Sequence, residues 1–161
     1  FLTEAIFSKV PFKSINLING KAESAEAEAE RYSGLLNAID VDITFMGIGE
    51  NGHIAFNDPA FADFNDSKTV KIVELDDVCR MQQVHDGCFP SFDDVPKKAM
   101  TVTIPKLVSA RKIFCIVPTD KKAEAVRNAL TGPVATSCPA SILRTVPGVS
   151  MYIDAAAAAL L

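Results

Sequence analysis

A short apolar run, Asp42-Ile43-Thr44-Phe45-Met46, leads directly into Gly47-Ile48-Gly49-Glu50-Asn51-Gly52-His53. The run reads as a buried strand. Three glycines within the next six residues let the backbone turn sharply and approach a ligand closely. Two further strand-like runs, Lys112 to Val117 and Val149 to Ile153, are separated from the first by helical segments. Strands alternating with helices predict an α/β fold with an open, mostly parallel sheet and helices on both faces. Such a sheet binds ligands outside the C-terminal ends of its strands. The glycine turn puts one of only two histidines there, followed by Asn57 and Asp58.

The rest of the chain is consistent with this frame. Phe1 to Lys9 reads as a helix end closed by Pro11, and Ile15 to Gly20 as an extended piece ending at an Asn-Gly turn. Ala22 to Ala38 is rich in Ala and Glu, with an apolar side from Tyr32, Leu35 and Leu36, and predicts an amphipathic helix. Its glutamates read as a solvated face rather than a metal cluster. Thr69 to Val73 alternates like a strand, and Asp76 to Val84 is a helix opened by an acidic cap. Ala99 to Ile104 is a β-rich run, and Pro105 can open a helix over Lys106 to Ala110. Asp120 to Leu130 predicts a helix stopped by Gly132-Pro133, and the Ala-rich tail after Asp154 predicts another.

Composition narrows the function classes. The chain has 161 residues, nearly half of them hydrophobic, enough for one core and one domain over residues 1–161. A net charge of −4 gives no basic field for nucleic acid. No apolar run is long enough to span a bilayer, so no membrane partner is expected. Cys79, Cys88, Cys115 and Cys138 lack metal-ligand spacing. They predict reduced thiols in the cytoplasm, with no metal and no cofactor.

Glu50-Asn51-Gly52-His53-Ile54-Ala55-Phe56-Asn57-Asp58-Pro59 resembles the active-site motif of the glucosamine-6-phosphate deaminases, or isomerases. The sister 6-phosphogluconolactonases share the Gly-x-Gly-x-x-Gly-His core but typically continue Thr-Ala-Ser-Leu-Phe-Pro. Ile-Ala-Phe-Asn-Asp-Pro therefore favours the deaminase branch. Gly47-Ile48-Gly49-Glu50-Asn51-Gly52 fits the Gly-x-Gly-x-x-Gly spacing, which alone is weak evidence for a dinucleotide site. The resemblance runs from about Phe1 to Asp154 and implies a Rossmann-like fold. It also implies first strands, a phosphate loop and a proton-abstracting Asp ahead of Phe1. On that reading the chain is the C-terminal portion of such a fold and inactive alone; a naturally short paralogue is the other reading.

The implied reaction converts glucosamine 6-phosphate and water to fructose 6-phosphate and ammonia. Ring opening needs a group that gives a proton near neutral pH, which suits histidine. By resemblance His53 takes that role, with Asp58 orienting the imidazole. Asn51 stands where many members carry Asp; an amide can orient but cannot shuttle a proton. Gly49 and Gly52 admit the substrate to the backbone. Lys122, in a Lys-Ala-x-Ala segment after the strand 112–117, matches the lysine that contacts the sugar phosphate. The family's phosphate-binding Arg aligns with Gln83, and Arg80 lies one turn earlier, as a ligand contact or a surface residue. Two other functions stay open: a 6-phosphogluconolactonase-like hydrolase, and a non-catalytic sugar-phosphate-binding paralogue. Self-association into a homo-oligomer is open as well.

Overall fold

The computed structural model describes residues 2–161. Phe1, the first residue of the expected leading helix, lies outside them, and the remainder of that segment forms a single π-helical turn, Thr3–Phe7. The first full helix, α1 (Ala25–Asn37), starts later than the Ala-rich composition suggested. Ser24 sets its start: the side chain accepts a hydrogen bond from the Ala27 backbone N–H and satisfies one of the helix's free donors.

β1 (Ile43–Met46), β4 (Lys112–Val117) and β5 (Val149–Ile153) form the parallel sheet in the order β1-β4-β5. Ile43 pairs with Lys112 and Met46 with Cys115, while Ile113 pairs with Val149 and Val117 with Ile153. The C-terminal ends of β1 and β4 consequently lie side by side. β2 (Val70–Glu74) and β3 (Lys98–Val102) do not join this sheet. They pair antiparallel with each other, Val70 opposite Val102 and Glu74 opposite Lys98. The opposite charges on the last pair favour that register. α1 packs on this smaller sheet through β2.

α2 (Asp77–His85) is capped by Asp76, whose carboxylate accepts from the Cys79 N–H. α3 (Ile104–Val108) carries Pro105 in its first turn, where a missing N–H costs nothing. α4 (Ala123–Thr131) begins three residues later than expected, after a 3₁₀ turn Asp120–Lys122. The Ala-rich tail is a series of turns rather than a helix. Asp154 caps it through the Ala157 N–H, but a handful of residues cannot offset the cost of helix nucleation.

The core lies on one face of the parallel sheet. Ile113, Cys115 and Val117 of β4 point into it and meet Val126 and Ala129 of α4, Leu143 of the 3₁₀ segment Pro139–Thr145, and Ile54 of the glycine-turn loop. On the other face Phe45 is 71% exposed and Tyr152 55% exposed, with Phe114 stacked between them at 5.4 and 6.4 Å. The α/β class and the parallel sheet are as expected. The helical cover of this sheet among the described residues sits on one face, because α1 is committed to the β2–β3 sheet.

Candidate active site

β1 ends at Met46, and the following loop turns on its glycines. The Gly49 N–H donates to the His53 carbonyl and the Gly52 N–H to the Gly49 carbonyl, closing a tight turn. Gly52 has φ +85°, and a Cβ there would stand 2.8 Å from Cys138 Sγ. A Cβ on Gly49 would lie 2.2 to 2.4 Å from three atoms of the His53 ring. The imidazole therefore rests on bare backbone at Gly49, and no larger residue can stand there without moving it.

His53 Nδ1 lies 2.9 Å from Asp58 Oδ1 and 2.8 Å from Asn51 Oδ1. The orientation of Asn51 follows from its other contacts. Its Nδ2 donates to Asp58 Oδ1 at 3.2 Å and to Asp76 Oδ2 at 2.8 Å, so the amide nitrogen must face the two carboxylates. Its Oδ1 also accepts from the His53 N–H. With two oxygens facing Nδ1, that nitrogen carries a proton, and Nε2 is left to exchange one with a ligand. Asp58 is fully buried and accepts the Asp76 N–H as well. Burial works to raise its carboxyl, but the hydrogen bonds from His53, Asn51 and the Asp76 backbone outweigh it and hold the group below the usual carboxylate range.

The rest of the loop is tied to the second sheet. Asn57 Nδ2 donates to the Ile54 and Val102 carbonyls, and the Phe56 N–H donates to Thr101 Oγ1. Ala55 between them takes φ +51°, the left-handed region. Both Asn57 and Thr101 are buried.

Lys122 stands at the end of β4's connection to α4, beside a cavity of ≈ 280 Å³ that Gly47, Gln82, Asp86 and Thr119 also line. Its Nζ is buried without a hydrogen-bond partner. Burial lowers its affinity for a proton, and the charges of Asp86 and Glu50 partly restore it. A buried ammonium without an acceptor, at the N-terminus of a helix, is built for an anion. Thr119 holds φ +81° and ψ 152°, a conformation otherwise left to glycine, and its N–H donates to Asp154 Oδ2. A second, larger cavity of ≈ 670 Å³ lies between α1 and β2, away from these groups.

Of the residues singled out in the sequence, His53, Asp58, Asn51, Gly49 and Gly52 meet in one network, with Lys122 on the neighbouring connection. Arg80 is engaged elsewhere. It is buried, its guanidinium lies 3.8 Å over the Phe92 ring, and it donates to the Phe92 and Val95 carbonyls. The surface placement considered for it does not hold: the loop before β3 folds over it. His85, unpartnered in sequence, stands 3.4 Å from Glu50. Sequence reasoning missed Asp76, which fixes Asn51, and Gln82, whose Oε1 accepts the Glu50 N–H and whose Nε2 donates to Asp86. The acidic cap before α2 was visible, but its second task depends on where α2 docks.

With this geometry in view, comparison with known proteins is direct. The family model of glucosamine-6-phosphate isomerases and 6-phosphogluconolactonases matches residues 1–151. The chain belongs to this family. It is 38% identical over 161 residues to a glucosamine-6-phosphate deaminase of Listeria innocua, covering 100% of this chain and 67% of that protein. A glucosamine-6-phosphate deaminase of Exiguobacterium is 39% identical over 158 residues, covering 98% and 60%. Among solved structures, a monomeric glucosamine-6-phosphate deaminase superposes with a TM-score of 0.82 at 39% identity, covering 91% of this chain and 59% of that one. The 6-phosphogluconolactonase of Trypanosoma brucei shares the fold, at a TM-score of 0.61 and 21% identity. The chain thus spans about three fifths to two thirds of the length of these deaminases.

Proposed function

We propose that the protein acts as a glucosamine-6-phosphate deaminase, an aldose–ketose isomerase that releases ammonia from the amino sugar phosphate. The observation that carries this reading is the buried His53–Asp58–Asn51 network in a chain that is 38–39% identical to deaminases. Lactonase relatives support only the shared fold, at 21% identity for the Trypanosoma enzyme.

In this reading His53 Nε2 passes a proton to the ring oxygen and opens the pyranose. Asp58 keeps the proton on Nδ1 and stabilises the imidazolium, the task of a carboxylate behind a catalytic histidine. Asn51 holds both partners in register. Lys122 takes the phosphate, whereas Gly49 and Gly52, expected to admit the sugar, instead make room for the His53 ring and for Cys138. Arg80 acts indirectly, by holding the loop before β3 in place. Proton transfer from C2 to C1 needs its own carboxylate. Asp58 and Asp76 are both engaged in holding Asn51, so neither is given that role.

The described residues contain no helix long and apolar enough to cross a membrane. Free cysteines and a phosphorylated metabolic substrate favour a cytoplasmic enzyme built as a single α/β domain. The test is an ammonia-release assay of the intact protein with glucosamine 6-phosphate, beside a lactone-hydrolysis assay with 6-phosphogluconolactone. Ammonia release without lactonase activity is expected; lactone hydrolysis alone would replace this reading with the hydrolase.

A further inference from the structure

We infer that His53, Asp58 and Cys79 together form a binding site for a thiolate-seeking divalent cation such as Zn²⁺ or Cd²⁺. No spacing in the sequence suggests it, because Cys79 comes from α2 and the other two from the loop after β1. Docking of α2 brings their ligand atoms within 4.8 Å of one another, and all three residues are buried. A tetrahedral ion with ordinary Zn–S and Zn–N bonds spaces its ligands about 3.5 Å apart. His53 Nδ1 and Asp58 Oδ1 stand at 2.9 Å across a hydrogen bond, so a bound ion parts them slightly while the thiol moves in. Donor chemistry fits as well: one imidazole, one carboxylate and one thiol.

The carboxylates of Asp58 and Asp76 converge beside this cluster through Asn51 and favour a cation there. In the empty cluster the Cys79 thiol lies within 4.8 Å of the His53 and Asp58 ligand atoms. An ion entering the cluster releases the Cys79 thiol proton to solvent and forms the metal–sulfur bond, the His53 Nδ1 proton gives way to one on Nε2 so that Nδ1 can bind, and the ion's two charges balance those of Asp58 and Cys79. The complex is neutral, which a buried site tolerates far better than a lone thiolate. Cys115 and Cys138 are also buried, but neither joins a His or carboxylate cluster among the described residues. Resting on the deaminase reading, the ion would occupy the histidine that opens the sugar ring, making it an inhibitor rather than a cofactor.

The test uses Co²⁺ as a spectroscopic probe on the reduced, intact protein. One equivalent should produce thiolate-to-metal charge-transfer absorption, which excess Zn²⁺ abolishes by displacement. Cys79→Ser should lose the absorption and Cys88→Ser should keep it. Carboxymethylating the exposed Cys88 in the native protein draws the same distinction without a substitution in the cluster. Absence of the absorption in the wild type, or its loss when only Cys88 is blocked, overturns the site. Turnover is read separately: the band without any ammonia release sinks the deaminase reading and leaves the metal site standing.

Discussion

Asp58 and His53, both buried, face each other at 2.9 Å, and the same Asp58 oxygen accepts a second bond from Asn51. One carboxylate thus sets both the imidazole and the amide that flanks it. If His53 is the proton donor in ring opening, His53→Ala should lower turnover by roughly 10²–10⁴-fold, the usual worth of a positioned acid–base. Asp58→Asn keeps the shape but not the charge and should fall in the same range. Steady-state rates of the intact enzyme measure both, and a variant within a few-fold of wild type would remove that residue from the mechanism.

The same pair makes a claim about acid stability. Asp58's carboxyl is held below its ordinary value in the folded protein, so its contribution is fully present above the unfolded value near pH 4. It is lost as pH falls through the lower folded value. Wild type should therefore exceed Asp58→Asn in stability at pH 6, with the gap closing below pH 4. Denaturant unfolding curves at several pH values check this; a gap independent of pH would mean that the charge contributes nothing.

Much of this site was legible in the sequence because it is local. A strand, its glycine turn and the His53–Asp58 spacing lie within one short stretch, where chain geometry leaves little freedom. Asp76, Cys79 and Gln82 were not legible as site residues, because their roles depend on how α2 docks against that turn. Arg80 shows the converse: helical spacing placed it near the site, but Phe92 and Val95 claim its guanidinium. Alternation along Thr69 to Val73 revealed a strand but not its partner, and only the antiparallel register with β3 separates it from the parallel sheet. In the tail, alanine propensity was outweighed by shortness.

Lys122 offers a buried, unpartnered ammonium to whatever enters its cavity. A hydrogen bond to a charged group is worth about 1.5–3 kcal/mol, so Lys122→Ala should raise KM for the sugar phosphate roughly 10- to 100-fold. Inorganic phosphate should also raise the melting temperature of wild type and leave that of the variant unchanged. An unaltered KM at low salt would take Lys122 out of the phosphate site.

Thr119, between β4 and Lys122, occupies a backbone region that costs a side-chain-bearing residue about 1–3 kcal/mol. Thr119→Gly relieves this, at an unfolded-state entropy cost of roughly 0.5–1 kcal/mol. Thr119→Ala relieves nothing. The glycine variant should accordingly be more stable than the alanine variant by about 1 kcal/mol. Equal unfolding midpoints for the two would show that the loop adapts without strain.

Glu28 and Arg31 secure the extended chain that precedes α1. Glu28 accepts the Asn19 N–H at 2.6 Å and two bonds from Arg31 at 2.7 Å, and Arg31 donates onward to the Leu17 carbonyl. The Arg31 hydrogen bonds first, then the Asn19 N–H, bring the Glu28 carboxyl from 4.5 down to about 2. With the folded value depressed, this anchoring is fully present above pH 4.5 and is lost as pH falls towards 2. Acidification through that window should loosen the stretch around Leu17 and Asn19 before the parallel sheet opens. Glu28→Gln should loosen it already at neutral pH, since an amide cannot match a carboxylate's two charge-assisted acceptors. Amide hydrogen exchange resolves the two regions separately. Protection at Asn19 that survives in Glu28→Gln at pH 7 would show that the extended segment is held by other contacts.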